Sequence, residues 1–335
     1  MIKIYNKTIN DNAIGVITST VKSKKELALL DNKIIIEYAV KFLEQNTKLL
    51  DVLSSADSKD VKNNSKIKRN KLFGEMIKYI RRESRLIYGM FQKPTEINKR
   101  KDFLNELNFK LSKKENYDDT IIKLLSTHVS TNERLAIYND VIGIIDKIIF
   151  VNKLDDKTSK NNSHKNINLL DIASGLNPIA MIALIEKYNY CKIKYIATEL
   201  NKEDCDFLND FFNIITKYYP NFNGIAYDID LRRDYERLNC IIKENNIEIN
   251  DKNINICLIF KTIEILEKYK KHFSFKIFDN IKEFNNIIVS FPLQTLANTQ
   301  TTNKKRLWFE KMISKLGYEY GTIQLKNEIF YHICY

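Results

Sequence analysis

The stretch Asp171-Ile172-Ala173-Ser174-Gly175-Leu176-Asn177-Pro178 follows directly on the short apolar run Ile167–Asp171. Gly175 can take the backbone geometry of a tight turn where a ligand comes close. Pro178 suits the first turn of a following helix, where its missing N–H costs nothing. An ordinary strand–turn–helix connection reads the same way, so the neighbouring segments decide its meaning. Downstream, strands and helices alternate. Helices are expected over Pro178–Tyr188, Lys202–Tyr218, Leu231–Glu244, Ile263–Lys271 and Asn303–Leu316. Strands are expected over Lys192–Leu200, Phe222–Ile229, Ile254–Phe260 and Ile287–Pro292. Tyr318–Lys326 and Glu328–Tyr335 alternate about Asn327 and read as a closing antiparallel hairpin. Strands interleaved with helices imply a mostly parallel sheet. Five such units ending in a hairpin are the layout of a Rossmann-like class I methyltransferase, an α/β fold with seven strands. The absence of GxGxxG and the total of 8 Gly argue against a dinucleotide fold.

In an open α/β sheet, ligands bind outside the carboxyl ends of the strands. The second strand ends in Thr198-Glu199-Leu200 and the third in Tyr227-Asp228-Ile229. Glu199, some two dozen residues after the turn, is placed to accept from a ribose diol. Asp228 can accept from an adenine amino group while Ile229 packs on the ring. Each acid could instead cap a helix. The three strand ends in this order point to S-adenosylmethionine (SAM).

Upstream, residues 1–115 read as helical. Leu27–Leu53 has helical apolar spacing, Ser54–Ser65 reads as a loop, and Leu72–Phe91 as a second helix. That helix carries Lys78, Arg81, Arg82 and Arg85 on its polar side. Residues 119–150 look helical again, and 153–166 form a polar linker. The chain of 335 residues has a net charge of +12, and the excess is uneven. Residues 1–115 carry 25 Lys+Arg against 14 Asp+Glu, whereas 116–335 carry 29 against 28. A chain-wide lysine bias would load both parts, so the asymmetry favours a polyanionic partner over a merely solvated face. Two domains follow: a basic helical RNA-docking domain, 1–115, and a methyltransferase domain, 116–335.

Composition excludes other classes. Hydrophobic residues are 44% and aromatics 11% of the chain, too many for a disordered protein. No apolar run approaches the ~20 residues that span a bilayer, so no membrane partner is expected. Five scattered cysteines without CxxC support neither a zinc site nor a disulfide framework. No metal is expected, the compartment is taken as a reducing cytoplasm, and the protein as a monomer.

Four segments resemble the 16S rRNA N7-guanine methyltransferases of aminoglycoside producers and resistant bacteria, the FmrO-like or Arm family. His128-Val129-Ser130-Thr131-Asn132-Glu133-Arg134-Leu135 is similar to that family's HxSTxERL. The segment from Asp171 to Pro178 is similar to D-L-G-C-G-L-N-P. Phe260-Lys261-Thr262-Ile263-Glu264-Ile265-Leu266-Glu267 is similar to L-K-x-x-x-x-L-E. Ser290-Phe291-Pro292 with Trp308-Phe309-Glu310 is similar to S-F-P…W-F-E. Together they cover about residues 70–335.

The resemblance implies that His128, Ser130, Thr131, Glu133 and Arg134 line the cofactor pocket, with Arg134 on the methionine carboxylate. Without it, Glu133 and Arg134 could be a surface ion pair. It implies that Ala173 and Gly175 approach the methionine, that Glu199 holds the ribose, and that Asp228 and Ile229 hold the adenine. Phe260 and Lys261 would flank the reaction centre, with Glu267 as a second positioning residue and Tyr269 where the family often has Gln. Tyr88 or Phe91 would cover the pocket. The partner implied is 16S rRNA in the small ribosomal subunit, docked through Lys78, Arg81, Arg82 and Arg85. The alternatives are another base-nitrogen RNA methyltransferase, acting on adenine N1 or on tRNA, or a degenerate module that binds RNA without transfer. Two departures stand out. Ala173 and Ser174 replace Gly and Cys, so weaker SAM binding is expected from the added methyl group. Leu293-Gln294-Thr295-Leu296-Ala297-Asn298 replaces T-R-S-L-G-G.

Overall fold

The computed structural model describes residues 1–55, 61–89, 93–154, 165–293 and 306–334. Phe91 and most of the departing loop after Leu293 therefore lie outside the described residues. The chain divides into two compact units, Met1–Thr95 and Glu96–Tyr335.

The second unit is built on a seven-stranded sheet. Its strands are β3 (Asn166–Ile172), β4 (Ile193–Glu199), β5 (Phe222–Asp228), β6 (Asn253–Phe260), β7 (Asn286–Pro292), β8 (Glu319–Gln324) and β9 (Glu328–Cys334). They run in the order β5-β4-β3-β6-β7-β9-β8. β3 to β7 are parallel, and β9 lies antiparallel between β7 and β8. The expected mostly parallel sheet closed by a hairpin is what forms.

The central strands are nearly continuous apolar runs because helices cover both faces. Every residue of β3 after Asn166 is buried. Successive side chains point to opposite faces. Leu169 joins the core under the helices Tyr138–Leu154 and Lys202–Tyr218, while Leu170 and Ile172 join the core under Arg237–Glu244 and Leu307–Lys315. The chain passes outward from β3 to β5, then returns to β6 on the other side of β3. That reversal makes the carboxyl ends of β3 and β6 the topological switch point, where such sheets leave a crevice.

The expected domain division at 115 falls inside this second unit. The helix Arg100–Lys113 belongs to it because Leu104, Leu107 and Leu111 enter the core beneath the sheet. Arg100 adds a buried pair, its Nη1 2.6 Å from Asp204 Oδ1. The basic residues up to 114 were grouped by charge, but the apolar face of this helix decides where it packs.

The first unit is not wholly helical. Ile2–Ile4 (β1) and Lys7–Ile9 (β2) pair as a hairpin, each too short for its periodicity to show in the sequence. The expected helix Leu27–Leu53 is a 3-10 turn followed by two helices, Asn32–Gln45 and Thr47–Ser54. Val61–Arg69, read as the end of a loop and its sequel, is a helix anchored by the buried Ile67. Asn70 then caps the helix Lys71–Ser84, its Oδ1 accepting from the amides of Leu72 and Phe73. Among the described residues, no helix is long and apolar enough to cross a membrane.

Candidate functional site

The turn after β3 is shaped by two left-handed residues. Gly175 has φ +56°, and a Cβ there would lie 2.8 Å from His128 Cε1. The backbone angle favours glycine, and a side chain here would press on the imidazole packed over it. Ala173 has φ +53°. The sequence suggested only that its methyl group would crowd a ligand. The structure adds that an L-residue is held in a region costing about 1–2 kcal/mol. It is held there by hydrogen bonds from its N–H to Thr198 Oγ1 (3.1 Å) and from Ser174 N to Thr198 O (3.0 Å).

Beneath the turn, Asp171 is 1% exposed. Its Oδ2 accepts from the Tyr195 hydroxyl (2.7 Å) and Asn177 Nδ2 (2.8 Å). Burial pushes its carboxyl up to about 6, against the lowering effect of these bonds and of Arg134. Asp171 Oδ1 and Asn177 Oδ1 have no hydrogen-bond partner among the described residues.

Glu199 and Asp228 end β4 and β5 as register partners. The two acids picked from the sequence therefore stand side by side. Glu199 accepts from the amide of Gly175 and from Leu200 N (3.1 Å). Burial, then the nearby Asp204, push its carboxyl up to about 7, opposed by those amides. Asp228 is exposed, while Ile229 is buried and its N–H donates to Glu199 O at 2.7 Å. This arrangement offers one shielded and one open carboxylate at adjacent strand ends.

The other wall is the helix Val129–Arg134. Arg100 steadies its approach, with Nε 2.9 Å from Thr127 Oγ1. His128 Nδ1 is 2.9 Å from Ser130 Oγ. Thr131 is fully buried, and its hydroxyl donates to Leu125 O (2.6 Å), tying the segment to the preceding helix. Arg134 is 2% exposed and its guanidinium lies 4.9 Å from the Phe260 ring centre. Its Nε donates to Glu328 Oε1 (2.9 Å) and Oε2 (3.2 Å). The buried Tyr138 hydroxyl lies beside the same guanidinium, which opposes the upward push of burial on its pKa.

Glu328 went unnoticed in the sequence. It opens β9, is fully buried, and accepts from Ser290 Oγ (2.8 Å) and Lys261 Nζ (3.0 Å) as well as Arg134. Burial raises its pKa, but Arg134 and then Lys261 outweigh that and hold it below the usual carboxylate range. The available signal was an acid at the first position of an otherwise apolar, buried strand, where a charge persists only if paired. Lys261 itself follows Phe260 at the end of β6, with φ +57° and its N–H on Ser290 O (3.0 Å). Its Nζ also lies 2.7 Å from Glu133 Oε2.

Other expected residues sit differently. Glu267 accepts from the amides of His272 (2.7 Å) and Ser274 (2.8 Å) and from the Ser274 hydroxyl. Its contacts are those of a cap on the helix Phe273–Asp279. Tyr269 is 36% exposed, with the Arg232 guanidinium 5.5 Å from its ring. Tyr88 is buried. In the first unit, Arg81 donates to Thr20 O and to Ser23 Oγ (3.0 Å), and Arg85 grips Glu26 through Nε (3.0 Å) and Nη2 (2.7 Å). Lys78 and Arg82 are exposed, Arg82 lying 5.6 Å from the Tyr79 ring and paired with Glu83. Four further exposed cations, Lys66, Lys68, Arg69 and Lys71, come from the helix Val61–Arg69 and the start of the next. Among the described residues, no group of three or more His, Cys, Asp or Glu is placed to hold a metal ion.

No protein-family model matches the sequence. Over 172 residues the chain is 24% identical to the uncharacterized protein R744 of Acanthamoeba polyphaga mimivirus, covering 47% of this chain and 92% of that protein. The 16S rRNA methylase ArmA superposes on 69% of this chain and 97% of its own, at 22% identity and a TM-score of 0.41. The 16S rRNA methyltransferase RmtF, solved with S-adenosyl-L-homocysteine, superposes on 98% of this chain and 99% of its own, at 14% identity and a TM-score of 0.61. At that identity the likeness is one of fold: the chain shares the methyltransferase architecture of RmtF along almost its whole length.

Proposed function

We propose that the protein is a SAM-dependent RNA methyltransferase that modifies N7 of a decoding-region guanine in 16S rRNA. The observation that carries this reading is the carboxyl edge of the sheet. There the Gly175 turn and the register pair Glu199 and Asp228 stand at neighbouring strand ends, with His128 packed over the turn.

The residues present fit SAM. Arg134 is a buried cation, and Asp171 Oδ1 and Asn177 Oδ1 are buried acceptors with no donor among the described residues. Such atoms cost about 1–3 kcal/mol each when left unpaired, and an amino-acid end with one carboxylate and one ammonium supplies both complements. Glu199 would take the ribose diol, and Asp228 with Ile229 the adenine. When bound, SAM would supply an activated methyl on a sulfonium, the kind of group that the lone pair of guanine N7 can accept.

N7 carries no proton to lose, so no side chain has to act as a general base, and alignment does most of the work. Phe260 and Lys261 would border the reacting atoms, with Lys261 fixed by Glu328. Glu267 would act only by holding the segment after β6 in shape. The target base must leave its stack to reach the crevice. The exposed cations of the first unit would bind RNA phosphates. The likeness in fold to RmtF, a 16S rRNA methyltransferase, supports the choice of 16S rRNA, and the segments that resemble the Arm family support that of N7.

Incubation with tritiated SAM and separated ribosomal subunits tests this. Label in small-subunit RNA, with strand scission at one guanine after borohydride and aniline, is expected. Label only in tRNA, or at an adenine, would replace the target. A specific observation favours a second reading, a binding module without transfer: the left-handed Ala173 strains the turn that meets the cofactor. Binding of SAM without any transfer would establish that reading.

A further inference from the structure

Lys261 is held from below and open from above. Its side chain is 11% exposed, and the fully buried Glu328 fixes Nζ at 3.0 Å. Its backbone keeps a left-handed angle just past the switch-point strand β6. Such strain persists where surrounding structure imposes it, often at working sites. Glu133 reaches the same ammonium from the facing helix with Oε2 at 2.7 Å, and its side chain is 52% exposed. Glu133 Oε1 has no partner among the described residues, and the ammonium has a third N–H. A donor and an acceptor therefore stand side by side at the carboxyl edge of the sheet, braced from the core.

We propose that the Glu133–Lys261 pair reads the target base by its Watson–Crick edge and makes the site selective for guanine. This rests on the N7-methyltransferase reading above. Guanine presents the O6 acceptor beside the N1–H donor. Lys261 would donate to O6 and Glu133 Oε1 would accept from N1–H. Held this way, N7 keeps its lone pair free. A base with an amino group at position 6 and a bare N1 reverses both polarities, setting donor against donor and lone pair against lone pair. Flipped bases are commonly read on this edge, and a site built to hydrogen-bond a group rejects the analogue lacking it. Glu133 would thus be a specificity residue that touches the base, and Glu328 a positioning residue acting through Lys261.

The test uses small subunits reconstituted from 16S rRNA that carries guanosine, inosine or 2,6-diaminopurine at the mapped target position. All three keep N7; only the last reverses the edge. Single-turnover methyl transfer is measured for the wild-type protein and Glu133→Gln, with SAM affinity measured alongside. The wild type should use guanosine and inosine at comparable rates and 2,6-diaminopurine roughly 100-fold more slowly. Glu133→Gln should lose roughly 10- to 100-fold on guanosine and narrow the gap to 2,6-diaminopurine, both by more than any change in SAM affinity accounts for. Equal wild-type rates on all three bases overturn the proposal, as does a Glu133→Gln loss matched by an equal loss of SAM affinity. No wild-type transfer to any guanosine subunit overturns the N7 reading itself, and this inference with it.

Discussion

Arg134 and Glu328 lie 194 positions apart in sequence, yet Arg134 Nε is 2.9 Å from Glu328 Oε1, and their side chains are 2% and 1% exposed. The pair joins the helix Val129–Arg134 to the strand β9, which lies between β7 and β8. Both ions are removed from water, so each is stable only in the other's presence.

Removing one partner should therefore be costly. Glu328→Ala leaves the buried Arg134 without its counter-charge, while Lys261 keeps Glu133, and a loss of about 3–5 kcal/mol is expected. The double variant Glu328→Leu with Arg134→Met should recover much of that loss while failing to bind SAM. Urea unfolding and calorimetry read the two effects. A double variant no more stable than Glu328→Ala would show that the burial cost is not the cause. Because the Glu328 pKa is lowered on folding, its stabilisation is present at neutral pH and should vanish as pH falls through the folded value.

Ala173→Gly should relieve the left-handed angle. The strain of about 1–2 kcal/mol is partly offset by the greater chain entropy of unfolded glycine, roughly 0.4–1 kcal/mol. A small net stabilisation is expected, with SAM binding equal or tighter. A lower unfolding midpoint would mean that the turn adapts to alanine without strain.

Glu199 gives the site a pH dependence. Its carboxyl is raised to about 7 in the folded protein, so the folded state holds a proton that the unfolded chain has released. Its contribution to stability is present at acid pH and is lost as pH rises through about 7. SAM affinity should run the opposite way, because the ribose diol needs the ionised acceptor. Calorimetry between pH 6 and pH 8.5 should show affinity rising, then levelling off, and Glu199→Gln should flatten the profile and weaken binding by roughly 1–3 kcal/mol. An unchanged profile in that variant would place the titrating group elsewhere.

The cations of the first unit should separate into two groups. Charge reversal at Lys66, Lys68, Arg69 and Lys78, all exposed, should lower RNA affinity and its salt slope without a change in melting temperature. Reversal at Arg85 should lower the melting temperature, since it sets a second carboxylate against Glu26. Equal effects of both sets on RNA and on stability would contradict the division.

How far the sequence spoke follows from the range of each interaction. The apolar runs from Ile167 to Pro292 and their turns are local signals, and they placed the parallel strands and the closing hairpin. Glu199 and Asp228 were legible because strand ends in such a sheet point at one edge. Glu328 was not, because its role depends on partners from a helix and two strand ends far away in the chain. Arg81 and Arg85 were grouped with Lys78 by helical spacing, but spacing does not reveal that Thr20, Ser23 and Glu26 occupy two of them. Ala173 was seen as a substitution, while its left-handed angle emerged only with the backbone.

Calorimetric titration of SAM into the wild-type protein, beside Glu199→Ala and Asp228→Ala, addresses the crevice itself. One molecule bound per chain is expected, with each substitution costing roughly 1–3 kcal/mol. No heat from the folded wild-type protein, or binding that both variants leave intact, would place the cofactor away from this edge.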